Sequence, residues 1–242
     1  MINNILALET SQAQCSVALC VGGVVSSRVE NVSSQRSRHV LSMIDGVMRD
    51  LAFSPTHLDA LTWSAGPGSF TGLRVGASVC QALAYVWQLP IIPLSSLLIC
   101  AQTAVMRSKC CDVQHIAVAL DARMGGVYWA SFVWRDGRLA RIDNDQLLSA
   151  KSDVIRARLC PQHSWIGVGD AWELPALQAV RDDVQICSMG VAGDDVLSVT
   201  TLPLLARQQL VSTWVFNPVE CVPLYVSDAT QWKKRQRLFN LS

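Results

Sequence analysis

The chain has 242 residues, half of them hydrophobic and 16% charged. That composition argues against disorder except at the ends and suffices for one large domain or two lobes with a substantial core. A formal net charge of +1 excludes strong autonomous nucleic-acid binding, which rests on a clear basic excess, though not a local basic patch.

The first thirty residues read as three strands. Asn4 to Glu9 is an apolar run ending on an acid, Thr10 to Gln14 is a polar turn, and Cys15 to Val21 is a second apolar run. Gly22-Gly23 predicts a two-residue turn into a third strand, Val24 to Val29. Residues 30–38 are polar and loop-like, and Ser37 is read as the cap of a helix over His39 to Ala52. Its stripe of Val40, Leu41, Ile44, Val47, Met48 and Leu51 has helical spacing. A strand at Ala60 to Ala65, a glycine-rich turn, a helix from Thr71 to Trp87 and a strand at Ile91 to Leu94 follow. Ser95 or Ser96 then caps a helix running to Ser108. Three meandering strands followed by alternating helices and strands predict a mixed sheet with helices on both faces.

The order then restarts. His115 to Leu120 is apolar and meets Asp121, Ala122 to Gly126 is a turn, Val127 to Val133 is a strand, and Arg135-Asp-Gly137 turns into another over Arg138 to Ile142. Glu9 and Asp121 thus occupy corresponding points of two strand–acid–turn–strand units, a repeat of architecture more than of letters. Two unrelated hairpins are the competing reading. Further on, Asp153 to Leu159, Leu174 to Val180 and Val196 to Ser212 read as helices and Trp165 to Val168 as a strand. The end of the chain, with Trp232 and Lys233-Lys-Arg-Gln-Arg237, is basic. It reads as a solvated tail, or as a contact for RNA phosphate with a stacking indole.

The nine cysteines include no Cys-x-x-Cys pair, and most sit in apolar runs. They read as core thiols of a reducing compartment, with adjacent Cys110 and Cys111 the pair open to redox chemistry. The apolar start meets Glu9 at once, so no secretory signal is expected. Gln81, Gln88, Pro90 and Pro93 break the most hydrophobic stretch, 75–106, below the ~18 apolar residues of a membrane span. The expected location is the cytoplasm, with no membrane partner.

The segment Gly66-Pro-Gly-Ser-Phe-Thr-Gly-Leu-Arg-Val-Gly76 joins a strand to a helix. Glycines allow close backbone approach, and a helix start suits a phosphate. No Gly-Lys-Ser/Thr follows, so it is not a Walker A loop, and Pro67 and Thr71 stand where a hydrolase elbow needs glycine. A plain capping turn on Ser69 or Thr71 is the alternative reading of Gly66, Pro67, Gly68, Ser69, Thr71 and Gly72. The following helix is apolar nearly all round. Gly72, Gly76, Cys80 and Ala84 line up at i, i+4 spacing, so another helix could pack close. That surface is covered either within the chain or by a second protein. Glu9, Asp121 and Asp170 are acids at strand ends, suited in pairs to a metal–nucleotide complex or to capping. The four histidines show no metal-pair spacing, so neither a metal site nor a catalytic set can be nominated.

Three segments carry a resemblance: Ile5-Leu-Ala-Leu-Glu-Thr10, the glycine-rich segment 66–76, and Leu120-Asp-Ala-Arg-Met-Gly-Gly-Val-Tyr-Trp-Ala130. In this order and spacing the chain resembles the TsaB (YeaZ) family, well over 1–135 and weakly again at Pro223-Leu-Tyr225 and Trp232-Lys-Lys234. The resemblance implies a two-lobed actin/Hsp70-like (ASKHA, RNase H-like) α/β fold, each lobe a mixed sheet flanked by helices. The expected division is a partner-binding N-terminal lobe at 1–108 completed by 213–230, a C-terminal lobe at 109–212, and a basic tail at 231–242.

It also implies a non-catalytic subunit that pairs with a TsaD-like catalytic subunit and a TsaE-like ATPase, so that the threonylcarbamoyl group reaches N6 of adenosine 37 in tRNAs reading codons that begin with A. The sister TsaD family carries a His-x-x-x-His metal pair where this chain reads Ser95-Ser-Leu-Leu-Ile-Cys100. No cofactor is expected on this chain alone; ATP or ADP and a metal belong to the partners, and tRNA is met only indirectly. The expected partner face, also suited to a homodimer, comprises Val40, Ile44, Val47, Met48, Leu51, Gly72, Arg74, Val75, Gly76, Val79, Cys80 and Leu83. Glu9, Thr10, Ser11, Asp121 and Arg123 are candidates for a residual nucleotide site. The family usually has Asp at Glu9, and often Arg where this chain has Val226-Ser227. An ATPase or kinase acting alone and a metalloprotease are the competing functions.

Overall fold

A computed structural model describes residues 2–12, 14–31, 35–108, 114–186, 198–208 and 213–226. The Cys110-Cys111 pair and the basic tail lie outside the described residues. Strand β1 (Asn4–Glu9) is the spine of the first sheet. It is apolar at every position from Ile5 to Leu8 because both faces are covered. Alternation sends Leu6 and Leu8 to one face and Ile5 and Ala7 to the other. β2 (Gln14–Val21) pairs antiparallel with β1, and β3 (Val24–Asn31) with β2 across the predicted Gly22-Gly23 turn, where both φ angles are positive. β4 (Ala60–Gly66) joins β1 in parallel, and β5 (Ile91–Ser95) joins β4. The resulting order is β3-β2-β1-β4-β5.

Helices α1 (Arg36–Asp50) and α2 (Phe70–Trp87) cover the Leu6/Leu8 face. The α1 start differs from the Ser37 cap expected. Gln35, with φ 51°, is the capping position and makes no side-chain cap bond, so Ser37 already lies in the first turn. Starting there lets the Arg36 guanidinium reach back to the Gln12 carbonyl, 2.6 Å away. The α2 start is as expected: Ser69 Oγ accepts a hydrogen bond from the Gly72 amide.

The second sheet repeats the design. β6 (Gln114–Arg123), β7 (Gly126–Arg135) and β8 (Arg138–Arg141) meander, and β10 (Trp165–Val168) and β11 (Gln185–Ile186) add in parallel. The order β11-β10-β6-β7-β8 is that of the first sheet, with β6 in the place of β1. β9 (Gln146–Ser149) pairs with the start of β7. Two of the expected later helices are shorter: α4 is Ser152–Arg156 and α5 is Gln178–Arg181 after a 3-10 turn; of the helix expected over 196–212, α6 is Leu202–Gln208, and 196–197 and 209–212 lie outside the described residues.

Helix α3 (Ser96–Ser108) lies between the sheets. Its Leu97, Ile99, Cys100, Ala101 and Ala104 share one core with Ile5 and Leu94 of the first sheet and Ile116, Val118 and Phe132 of the second. Helix α6 packs against β1, β4 and β5. The packing therefore returns to the first lobe by Ser198–Gln208, ahead of the boundary expected at residue 212. The chain then runs along the edge of the first sheet, where Val215 bridges to Ile91. Among the described residues no helix is long and apolar enough to cross a membrane.

Candidate functional site

The glycine-rich segment is where three pieces of the chain meet. Ser69 N–H donates to the Ser11 carbonyl (2.8 Å), and the Thr10 hydroxyl donates to the Gly72 carbonyl (2.8 Å). A Cβ on Gly68 would meet Ser11, and one on Gly72 would fall onto the Thr10 carbonyl oxygen. Gly66, at φ 124°, lies against the Leu224 carbonyl, and the Leu224 amide donates to Ala65. Small residues are needed here because backbone approaches backbone. The small line of α2 likewise faces inward. A Cβ on Gly76 would stand 2.5 Å from the Thr10 hydroxyl and 2.9 Å from the Trp63 ring. Among the described residues no second helix fills that line.

Between the lobes is a cleft of about 820 Å³. Ser11, Arg36 and Ser69 line it from the first lobe, and Asp121, Arg123 and Asp170 from the second. The nucleotide-site candidates divide. Ser11, Asp121 and Arg123 border the cleft. Glu9 and Thr10 are 2% and 1% exposed and sit beneath it. One Glu9 oxygen accepts from the Ser11 amide (2.5 Å) and the Ser11 hydroxyl (2.6 Å), so the carboxylate closes the β1–β2 turn. Asp121 does the same across the cleft: its Oδ1 accepts from the Arg123 amide at 2.8 Å, and its own amide donates to Asp170 at 2.8 Å. Among the described residues no group of three His, Cys, Asp or Glu side chains is gathered at one point; Asp121 and Asp170 stand on the cleft wall. Burial pushes the Tyr128 phenol, also at the cleft, above its ordinary pKa.

The expected partner face also divides. Val40, Val47 and Cys80 are fully sealed, and Gly76 is buried on Trp63. These four form the inner face of α1 and α2, because the same stripe that marks a helix in sequence faces its own sheet first. They are not surface residues. Gly72 and Val79 are likewise buried. Ile44, Met48 and Leu83 line an apolar groove of about 530 Å³ between the helices, with Leu41, Phe53 and Trp87. Leu51 and Val75 are half-buried and Arg74 is exposed. The outer surface of α2 carries residues the sequence reading passed over: Phe70, Tyr85 (70% exposed) and Val86 (70% exposed). The Arg74 guanidinium stacks 3.9 Å above the Phe70 ring, and Tyr225 packs on the same ring at 5.7 Å. Beneath them, burial holds the Cys80 thiol well above its usual pKa and pushes Cys221 to about 12. At the start of α3, Ser96 is buried on the Ser64 hydroxyl (2.7 Å) and Cys100 is fully buried.

Two lobes that repeat one strand order around a shared helix, with a cleft between them, place the chain in the two-lobed actin/Hsp70-like class. The family model for TsaD, tRNA N6-adenosine threonylcarbamoyltransferase, matches residues 6–154. The chain is 32% identical to the tRNA threonylcarbamoyladenosine biosynthesis protein TsaB of Escherichia coli K12 over 233 residues, 95% of this chain and 97% of that protein. It is 29% identical to the TsaB of Haemophilus influenzae over 241 residues, 95% of this chain and 96% of that one. The solved structure of YeaZ from Pseudomonas aeruginosa superposes with a TM-score of 0.75 at 27% identity, covering 93% of this chain and all of that one. The chain belongs to the TsaB family.

Proposed function

We propose that this protein is the non-catalytic partner of a TsaD-like transferase in the synthesis of threonylcarbamoyladenosine on tRNA. The relatives bear that biosynthetic name, and the match to the TsaD family model fits a subunit built on the catalytic subunit's scaffold. The observation that carries the reading is the α1–α2 surface. Its apolar groove and the exposed Leu41, Tyr85 and Val86 lie together on a lobe whose interior is already packed. Exposed aliphatic and aromatic groups beside a groove are what a protein interface desolvates. The turn acids Glu9 and Asp121 hold backbone amides, consistent with a scaffold that leaves chemistry to its partner. A TsaE-like ATPase joins the pair, ATP or ADP and the metal reside on the partners, and tRNA is met through the complex. The same face accommodates a homodimer when the partner is absent.

The test is reconstitution. The chain and a TsaD-like subunit are mixed, run on a sizing column and assayed for threonylcarbamoyl transfer with the ATPase present. Co-elution, with transfer requiring both subunits, is the expected result. Transfer by this chain alone would overturn the reading, as would micromolar Mg-ATP affinity lost in Asp121→Ala, which points to a nucleotide enzyme.

A further inference from the structure

Among the described residues, the elements that cover the outer face of the second sheet, with Leu177 and Val180 beside α4, leave a pocket at one end. Helix α4 has five residues, about 7.5 Å at ~1.5 Å per residue. β6 and β7 have ten residues each, about 33 Å at ~3.3 Å per residue. Ile155 and Leu159 cover Ala117 and Trp129. Beyond them, among the described residues, His115, Ser131, Val133 and Arg135 floor a pocket of about 500 Å³. The wall is the stretch after α4, with Arg158, Cys160 and His163. The pocket lies at the start of β6, the opposite end from Asp121 and the inter-lobe cleft.

Its charged groups come from every side. The His115 and His163 rings stack with centroids 3.9 Å apart and planes 7° apart, and Trp165 of β10 supports His115 at 5.2 Å. Arg135 enters from β7 and Arg158 from beyond α4. Among the described residues neither has an ion-pair partner. The acid is Asp143, which accepts a hydrogen bond from the buried Ser131 hydroxyl at 2.8 Å. Arg156, behind His163, is already paired with Asp183 at 2.8 Å. Among the described residues, with both imidazoles protonated, four cations would face one carboxylate. Cations at stacking distance repel strongly unless an anion stands among them. A tetrahedral oxyanion offers the acceptors that two guanidinium forks and two imidazolium N–H groups match.

We propose that this pocket binds a phosphate group. Burial, the neighbouring His163 and Arg135 together hold His115 below the ordinary histidine value, so a bound anion relieves the repulsion and draws protons onto the pair. Binding therefore strengthens as pH falls through the histidine range. The phosphate is either a free anion or one on an RNA backbone.

The experiment follows the His115 and His163 ring resonances by NMR in the full chain. Inorganic phosphate is titrated between pH 5.5 and 8, with sulfate as a probe whose own charge stays constant, and an anticodon stem-loop RNA forms a second arm. The expected result is saturable shifts of both rings, a raised histidine pKa, and affinity about tenfold lower in Arg158→Gln and in Arg135→Gln, as loss of a charge-assisted bond implies. RNA acting well below the phosphate concentration identifies the backbone as source; phosphate acting without RNA identifies a free anion. Rings unmoved by millimolar phosphate, or shifts undiminished in both arginine variants, would overturn the proposal.

Discussion

Gly76 lies flat against Trp63. A Cβ at Gly76 would stand 2.9 Å from the indole ring and 2.5 Å from the Thr10 hydroxyl. The consequence is monomer stability, since Trp63 is fully buried and Thr10 is tied to Gly72. Gly76→Leu forces a large side chain into a packed core, which costs about 1–3 kcal/mol or more. Urea unfolding of the isolated chain checks this. An unchanged midpoint would show that α2 shifts freely, contrary to the packing described.

The partner face is tested by contrasting two positions on adjacent helices. Tyr85 is 70% exposed and Val47 fully buried. Tyr85→Asp is expected to leave the isolated chain within about 0.5 kcal/mol of its original stability and to weaken the heterodimer at least about tenfold, the size of a modest interface contact. Val47→Ala should instead lower stability with little direct effect on pairing. Calorimetric binding beside thermal melts separates the two. Equal binding by Tyr85→Asp would place the interface elsewhere.

Because α3 belongs to both sheets, the lobes are expected to unfold together. Leu97 is fully buried in the core that joins them. Leu97→Ala removes that filling and is expected to cost about 2–5 kcal/mol. Near-UV signals from the tryptophans of both lobes, Trp63 and Trp129, should move to a lower denaturant concentration in one coincident step. Separate steps would mean that α3 does not couple the lobes.

Stability should also fall on acidification through the histidine range. The folded pKa of His115 is lowered, chiefly by burial, from an ordinary value of 6.5. Between the two values the unfolded chain binds more proton than the folded one. The contribution is therefore complete above about pH 6.5 and lost as pH drops towards the folded value. Melting temperature followed from pH 7.5 to 5.5 is expected to decline less steeply in His115→Gln than in the unmodified chain. Identical slopes would remove His115 as a contributor.

Local chemistry made much of this fold legible. Gly22-Gly23 marks its hairpin, Ser69 caps α2, and the unbroken apolar run 5–8 announces a central strand. What the letters cannot carry is direction and partner. The Gly72–Gly76–Cys80 line shows that something approaches closely, and only the packing identifies it as Thr10 and Trp63. Ser37 looks like a cap by residue type, yet the Arg36 contact with Gln12 draws the helix start back to Gln35. β9 and the two-residue β11 have too few positions for a period to emerge. Glu9 and Asp121 were readable as a repeated pair of acids open to capping, but only the fold selects the amides two residues on as the groups they hold. The His115–His163 stack joins residues far apart in sequence, and no spacing rule connects them.

The bridge between Val215 and Ile91, with the Leu224 amide on Ala65, ties residues near the end of the chain to a sheet begun by residue 4. During synthesis the early sheet must wait with an open margin while the ribosome makes the whole of the second lobe. Exposed strand edges invite mispairing, so the nascent protein is at its most vulnerable just before residue 215 emerges, and a stalled or truncated product loses the seam that closes its oldest part.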